Sequence, residues 1–328
     1  MGFKEYAVKR SVNAVVTLIV TVILQFFIFR VLPGNPVSFM ISPNFPLESR
    51  MALIKLWGLD KPMHQQFLTY VANIFTGRFG LSFSTQRPVW DEIMERLPNT
   101  LLLMGSATAL YIALGIWLGV SAASKRGSRL DVASVGLGLF TQAMPTFFLG
   151  LLLLFFFGYY LPVATKGVLG FPIAGTVSRP PPNNPVEYVF DVLWHLTLPL
   201  TTLVVISFGG YLLVIRNLMI DALAEDYVLM ARAKGLEEKD VLYRHGFRSI
   251  LPPVVTMVGL SFSGVIGGAV VTETIFSWHG LGRYLYDAIM EYDYPVMQGA
   301  FFLIALVTIL GTLIVDLIYG LLDPRIKY

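Results

Sequence analysis

The chain has 328 residues, of which 55% are hydrophobic and only 14% charged, with a formal net charge of +3 and no cysteine. Soluble domains carry about a quarter charged residues, so this composition excludes an ordinary water-soluble globule and marks a polytopic membrane protein. The small positive balance forms no nucleic-acid stripe, and without cysteine there is neither a disulfide nor a thiolate metal site.

Crossing about 30 Å of hydrocarbon takes roughly 20 apolar helical residues. Six stretches have that length: Ser11 to Leu32, Thr100 to Ser124, Val132 to Tyr160, Leu196 to Met219, Leu251 to Phe276 and Ala300 to Leu322. None alternates like a membrane β-strand, and helices satisfy their backbone groups internally. The expected fold is an all-α polytopic membrane protein, with six transmembrane helices and a sizeable extracytoplasmic segment between the first and second. Residues 1–99 hold the first helix and that segment. Residues 100–328 hold a five-helix core with a cytoplasmic loop at 220–250.

Lys4, Lys9 and Arg10 precede the first apolar run, as in a signal peptide. The run is longer than a signal core of about 7–15 residues, and Val31-Leu32-Pro33-Gly34 offers no small-x-small cleavage site, so a retained anchor is expected. In the segment that follows, Met51, Ile54 and Leu56-Trp57 give Pro46 to Trp57 a near-helical apolar spacing that stops at Gly58. Pro62 to Thr76 repeats the pattern before Gly77, and a third short helix is expected over Val89 to Arg96. These helices either plug the bundle or present a docking surface to an external partner.

Gly115-xxx-Gly119 in the second span and Gly264-xxx-Gly268 in the fifth permit close helix approach. Pro145 should kink the third span. The stretch from Pro162 to Trp194, with Pro180-Pro181-Pro182 and Asn183-Asn184-Pro185, reads as turn and linker.

Orientation follows from the basic residues of the short connections. Lys4, Lys9 and Arg10, Lys125, Arg126 and Arg129, the loop with Arg216, Arg232, Lys234, Lys239, Arg244 and Arg248, and finally Arg325 and Lys327 all fall on one side. The short loops of the other side hold only Lys166, Arg179 and Arg283. Cytoplasmic loops hold the basic excess, so both termini are expected in the cytoplasm of a cell that carries the chain in its inner or plasma membrane.

No G-x-x-x-x-G-K-[ST] phosphate loop is present, so ATP-driven work would need another subunit. His64, His195, His245 and His279 form no H-E-x-x-H face, and no G-x-S-x-G elbow appears. Glu273 and Asp316 are the ionisable residues inside the spans. They serve either an ion-coupled secondary carrier or structural roles at the interface and between helices.

The polar loop carries the strongest pattern. Leu223 to Lys234 reads as a short helix ended by Gly235, with Arg232 and Lys234 in its last turn, and Glu237 and Glu238 open a second helix, so both charge pairs complement the helix dipoles. Tyr227, Met230 and Ala231 share one face at i, i+3, i+4 spacing. That face either docks into a partner's groove or packs back on this chain's own helix ends.

Here the residues resemble a known family. Asp226-Tyr227 followed by Ala231-Arg232-Ala233-Lys234-Gly235-Leu236 is similar to the D-Y-x-x-x-A-R-A-K-G-L run of binding-protein-dependent ABC importer permeases of the dipeptide/oligopeptide/nickel branch. The resemblance spans nearly the whole chain. It takes in Leu32-Pro33-Gly34-Asn35-Pro36, Gly58-Leu59-Asp60-Lys61-Pro62, Gly80-Leu81-Ser82, Arg96-Leu97-Pro98-Asn99-Thr100-Leu101 and Arg244-His245. Later come Gly267-Gly268-Ala269-Val270-Val271, Glu273, Gly280-Leu281-Gly282, Asp293-Tyr294-Pro295 and Asp323-Pro324-Arg325. Asn35 departs from the usual Asp, Trp278-His279 stands where Pro often precedes the glycine, and Leu229 and Met230 replace the first two residues of the broader E-A-A-x-x-x-G motif.

The resemblance implies a transport subunit without chemistry of its own, which binds no cofactor. It implies a homologous second permease subunit, two cytoplasmic ATPase subunits holding ATP and Mg, an extracytoplasmic solute-binding protein, and no nucleic acid. It makes Asp226, Tyr227, Met230, Ala231, Arg232, Ala233, Lys234 and Gly235 the coupling helix that docks on an ATPase, with Glu273 and Trp278 as candidate pathway or gate residues. Peptides or similar-sized solutes are the expected cargo, with oligosaccharides and nickel complexes as alternatives within the same branch.

Overall fold

The computed structural model describes residues 3–30, 60–265 and 269–322. The predicted helix Pro46 to Trp57, the motifs at 32–36 and 323–325, and the Gly267-Gly268 pair lie outside the described residues. Among the described residues the regular structure is helical, apart from one isolated bridge between Leu81 and Pro88.

Helix α1, Phe3–Arg30, leaves Val12, Val15, Val16 and Ile19 exposed along its length and buries Val22 and Phe26 near its far end. There it meets α2, Met63–Phe75, through the Phe26 and Phe67 rings and a hydrogen bond from Tyr70 Oη to Gln25 Oε1 at 3.3 Å. As the sequence predicts, α2 stops before Gly77. That glycine takes φ +70°, while the Gly77 and Arg78 N–H groups donate back to Ile74 and Asn73.

Two long helices form the spine. Helix α3, Val89–Ser124, has 36 residues, about 54 Å at 1.5 Å per residue. It absorbs the separate short helix expected over Val89 to Arg96. Pro98 does not break it, because buried Val89 and Ile93 on one side and Thr100 on the other hold both halves in place. Further along the spine, α6, Pro185–Leu223, begins where the proline-rich linker ends: Asn184 caps it by accepting the Val186 N–H at 2.9 Å, and Pro185 fills the first turn. The predicted Gly115-xxx-Gly119 seam is where α3 and α6 meet. A Cβ on Gly115 would lie 2.3 Å from the Tyr211 Cβ, and one on Gly119 would lie 2.8 Å from the Ile215 Cβ.

The third predicted span is broken rather than kinked. Helix α4, Arg129–Ala143, ends at Met144 and Pro145, which take extended ψ angles of 128° and 133° before α5, Thr146–Leu153, begins. Proline disfavours helical backbone in the residue before it, so the chain leaves the helix at Met144. A π-helical stretch, Leu154–Tyr160, and a last turn, Leu161–Ala164, extend α5. Helices α4 and α5 both lie along α6, and α4 approaches it where Gly138 faces Gly209.

After α6 comes the short helix α7, Asp226–Ala233. A single turn, Glu238–Asp240, and a π-helical stretch, Val241–Phe247, then lead into α8, Arg248–Ser263. Leu251 to Phe276 is therefore not one continuous helix as expected. Helix α8 stops at Gly264 and α9, Val270–Ile275, starts later, across a stretch with three glycines in five positions, which are poor helix formers. Among the described residues, five helices are long and apolar enough to cross a membrane. Helix α10, Leu281–Met290, and α11, Tyr294–Leu322, complete the chain.

Two apolar cores sit at opposite ends of the bundle. At the α2 end, Val22, Phe26, Ile74, Val89, Ile93, Leu281, Leu285 and Val296 knit α1, α2, α3, α10 and α11 together. At the α7 end, Val120, Ala123, Ile215, Met219, Ile250 and Val254 join α3, α6 and α8.

Candidate functional site: a projecting arm and a buried carboxylate

Helix α7 and the turn after it project from the end of α6. Glu225 begins the arm, two residues later than expected, because α6 runs unbroken to Leu223. Gly235 ends it with φ +76°; its N–H donates to Arg232 O at 2.9 Å and the Leu236 N–H to Ala231 O at 3.4 Å, the two bonds of a left-handed helix stop. Across that turn Arg232 donates to both Glu238 oxygens, at 2.7 and 3.2 Å, which fixes the angle between the two segments. The Arg232 guanidinium holds the Glu238 carboxyl below the usual glutamate range.

Tyr227, Met230 and Ala231 do not share one environment. Ala231 is 4% exposed and packs with Val228, Val241 and Leu223 of its own chain, whereas Tyr227 and Met230 are 44% and 59% exposed. The correction has a simple cause. Val228 and Ala231, three residues apart, make the inward stripe, and Tyr227, Leu229 and Met230 are left outside it. Asp226, Arg232, Ala233, Lys234 and Gly235 are exposed with them. The arm is therefore seated on its own bundle by one face and presents an apolar surface flanked by basic side chains with the other.

Glu273 and Trp278 lie at the opposite end, and both are fully buried. Glu273 Oε1 accepts the Thr100 hydroxyl at 2.9 Å and Oε2 accepts the Arg283 N–H at 2.9 Å. The Leu281 N–H donates in turn to Thr100 Oγ1 at 2.7 Å. Trp278 Nε1 donates to Asn99 O at 3.0 Å, and Asn99 Nδ2 to His279 O at 2.8 Å. Among the described residues no Lys or Arg side chain pairs with Glu273; its charge faces the N-terminus of α10, where helix N–H groups and the dipole favour an anion. Asp316 is also engaged: its side chain pairs with Arg10 at 3.2 Å, and its backbone carbonyl accepts Tyr6 Oη at 3.1 Å, so the pair ties α1 to α11.

Three further buried charges escaped the reading of the sequence. Asp293 Oδ2 gathers the Ser82 and Ser84 hydroxyls and the Phe83 and Ser84 N–H groups. Glu92 accepts the Tyr284 and Thr85 hydroxyls and lies near Arg96 and Arg87, with the Arg96 guanidinium 4.1 Å from the Tyr284 ring centre. At the α7 end Asp131 forms a two-pronged pair with Arg216 and accepts the Gly127 N–H at 2.9 Å. Gly80-Leu81-Ser82 and Asp293-Tyr294-Pro295 stood out as motifs, but only the fold shows that they are halves of one contact.

Comparison with known proteins fits this anatomy. Residues 3–104 match the family described as the N-terminal part of the binding-protein-dependent transport system membrane component, and residues 115–328 match the binding-protein-dependent transport system inner membrane component. The chain is 36% identical to the oligopeptide transport system permease protein AppB of Bacillus subtilis (strain 168), over 98% of this chain and 99% of the relative. It is 37% identical to the dipeptide transport system permease protein DppB of Escherichia coli (strain K12), over 99% of both. It is 34% identical to the glutathione transport system permease protein GsiC of Salmonella choleraesuis (strain SC-B67), again over 99% of both. A multi-pass helical chain, alike from end to end to permeases of three peptide systems, belongs to the family of binding-protein-dependent transport system inner membrane components.

Proposed function

We propose that this chain is one permease subunit of an ATP-driven importer and that its cargo is peptides. The relatives named for oligopeptide, dipeptide and glutathione transport support that cargo over oligosaccharides or nickel complexes. In this reading a homologous second permease completes the path, two cytoplasmic ATPase subunits hold ATP and Mg, and an extracytoplasmic binding protein delivers the solute. Helices α8 and α9 together make the fifth of six crossings. Both termini and the α7 end face the cytoplasm, and residues 1–99 add an anchor and an outer segment to the permease core at 100–328.

The observation that carries the proposal is the arm itself. An eight-residue helix has no independent stability in water, yet α7 is held rigidly by Val228 and Ala231 while Tyr227, Leu229 and Met230 are kept outside. Such a surface is suited to a groove on an ATPase subunit, with Asp226, Arg232, Ala233 and Lys234 around it and Gly235 setting the lever's angle. Ala231 contributes from behind, by seating the arm. Glu273 and Asp316 are each engaged by protein partners, which supports structural roles for them over ion coupling. The test is uptake by proteoliposomes holding the full complex: transport should stop when both ATPase subunits carry a hydrolysis-dead substitution, and unchanged uptake would overturn the proposal.

A further inference from the structure

The buried carboxylate of Glu273 divides its two oxygens between two separate elements, the Thr100 hydroxyl of α3 and the Arg283 N–H in the first turn of α10. A simple helix cap would need only the second of these. Instead the same turn of α3 is tied to the α9–α10 hairpin by three more hydrogen bonds: Leu281 N–H to Thr100, Trp278 Nε1 to Asn99 O, and Asn99 Nδ2 to His279 O. The hairpin is shaped around the carboxylate. A Cβ on Gly280 would fall 2.3 Å from Glu273 Oε2, and one on Gly282 3.0 Å from the same atom. Burying an anion without a cation is costly and is sustained only where several donors are fixed in place.

The position of this cluster gives it a further meaning. Helix α3 runs without a break from Thr100 to the far end of the bundle, seated against α6 at Gly115 and Gly119. Helix α6 runs on to Leu223, which packs against Val228, Ala231 and Val241 of the arm. Unbroken helices in close contact thus join the arm at one end to the Glu273 cluster at the other.

We propose that Glu273 and Thr100 form a latch that makes the α9–α10 hairpin one rigid body with α3, so that movement imposed on the α7 arm is delivered to the opposite end of the translocation path. The source of the movement rests on the importer reading; the latch does not. Glu273 is then a positioning residue, and Trp278 is the second anchor of the same body.

Because the chain has no cysteine, spin labels on cysteines substituted for exposed Leu101 on α3 and exposed Ile289 on α10 report on this body alone when the partner subunits are also cysteine-free. In the assembled transporter the wild-type pair should give one narrow distance, unchanged when the ATPase subunits are trapped with vanadate. Glu273→Gln and Thr100→Val should lose the narrow distance even without nucleotide, and Thr100→Ser, which keeps the hydroxyl, should retain it. A wild-type distance that shifts on trapping would overturn the latch, as would narrow distances in both Glu273→Gln and Thr100→Val. If the wild-type assembly hydrolyses no ATP, the importer reading fails, and the nucleotide-free comparison of the four samples still decides the latch.

Discussion

Asp293 accepts the Ser82 hydroxyl at 2.6 Å across 211 positions of sequence, and the same oxygen takes three more donors from Phe83 and Ser84. One carboxylate therefore holds the Gly80–Arg87 loop onto the start of α11. Replacing Asp293 with Ala strands the buried Ser82 hydroxyl and the donors beside it, and hydrogen bonds to a charged group contribute about 1.5–3 kcal/mol. Asp293→Ala should lower the unfolding temperature of the detergent-solubilised protein and speed hydrogen exchange at the Phe83 and Ser84 amides, whose acceptor it removes. Ser82→Ala, which removes one donor of four, should do both to a smaller degree.

Close approach between α3 and α6 predicts opposite outcomes at two glycines. Gly115→Val drives a side chain into the Tyr211 Cβ and the Phe208 carbonyl, and overpacking of this kind costs about 1–3 kcal/mol. Gly136 on α4 has nothing within 4 Å of a built Cβ and is exposed, so Gly136→Ala should stabilise its helix by up to ~1 kcal/mol. Thermal unfolding of the two variants should move in opposite directions.

The two faces of the α7 arm should respond differently. Met230→Ala and Tyr227→Ala remove exposed side chains, so the melting temperature should hold while co-purification of the ATPase subunits falls; a central interface residue is worth about 2 kcal/mol or more. Ala231→Trp forces the arm off Val228 and Val241 and should lower both readouts. Gly235→Ala carries the left-handed strain of about 1–2 kcal/mol, and Gly235→Pro, whose ring cannot reach φ +76°, should be worse. ATPase subunits retained at wild-type levels by all five variants would remove the arm from the docking role.

Ionisation of Glu238 gives a pH signature. Its carboxyl is lowered by the hydrogen bond from Arg232, so the pairing is fully present above the unfolded glutamate pKa of about 4.3 and is lost as pH falls through the lowered folded value. The pair is exposed and screened by water, which limits its contribution to ~1 kcal/mol or less. Infrared titration of protein carrying 13C-labelled glutamate, with Glu238→Gln to identify the band, should show the Glu238 midpoint rising in Arg232→Gln.

Features that depend on neighbours in sequence were legible before the fold was known. The apolar runs marked where helices lie but not the breaks in the third and fifth, Gly77 and Gly235 marked helix stops, and Gly115-xxx-Gly119 marked a surface fit for close approach, because each acts through residues within a turn or two. The spacing of Tyr227, Met230 and Ala231 described a helix but not which side is covered, and the inward Val228 was overlooked. Glu92 with Tyr284 and Ser82 with Asp293 are separated by 192 and 211 positions, so no local pattern could pair them. Pro98 and Pro145 show the same limit: a proline has the same local effect at both, yet α3 runs on through one and the chain leaves the helix before the other.

Asp131 and Arg216 provide the sharpest separation between an interaction and its absence. The pair joins the first turn of α4 to α6, with the Asp131 side chain 3% and the Arg216 side chain 19% exposed. Breaking a buried pair from one side typically costs about 3–5 kcal/mol, mostly because the remaining charge is stranded rather than because the pair is worth that much. Asp131→Asn should therefore destabilise the protein strongly by leaving the Arg216 guanidinium without its carboxylate. Asp131→Asn combined with Arg216→Gln removes both charges and should recover part of the loss, although each single change removes the same contact. Arg216→Lys keeps the charge but not the two-pronged geometry, and should fall between the wild type and Asp131→Asn. Thermal unfolding of Asp131→Asn, Arg216→Gln and the double variant measures the cycle, and a double variant no more stable than the worse single one would show that desolvation is not what makes the orphaned charge costly.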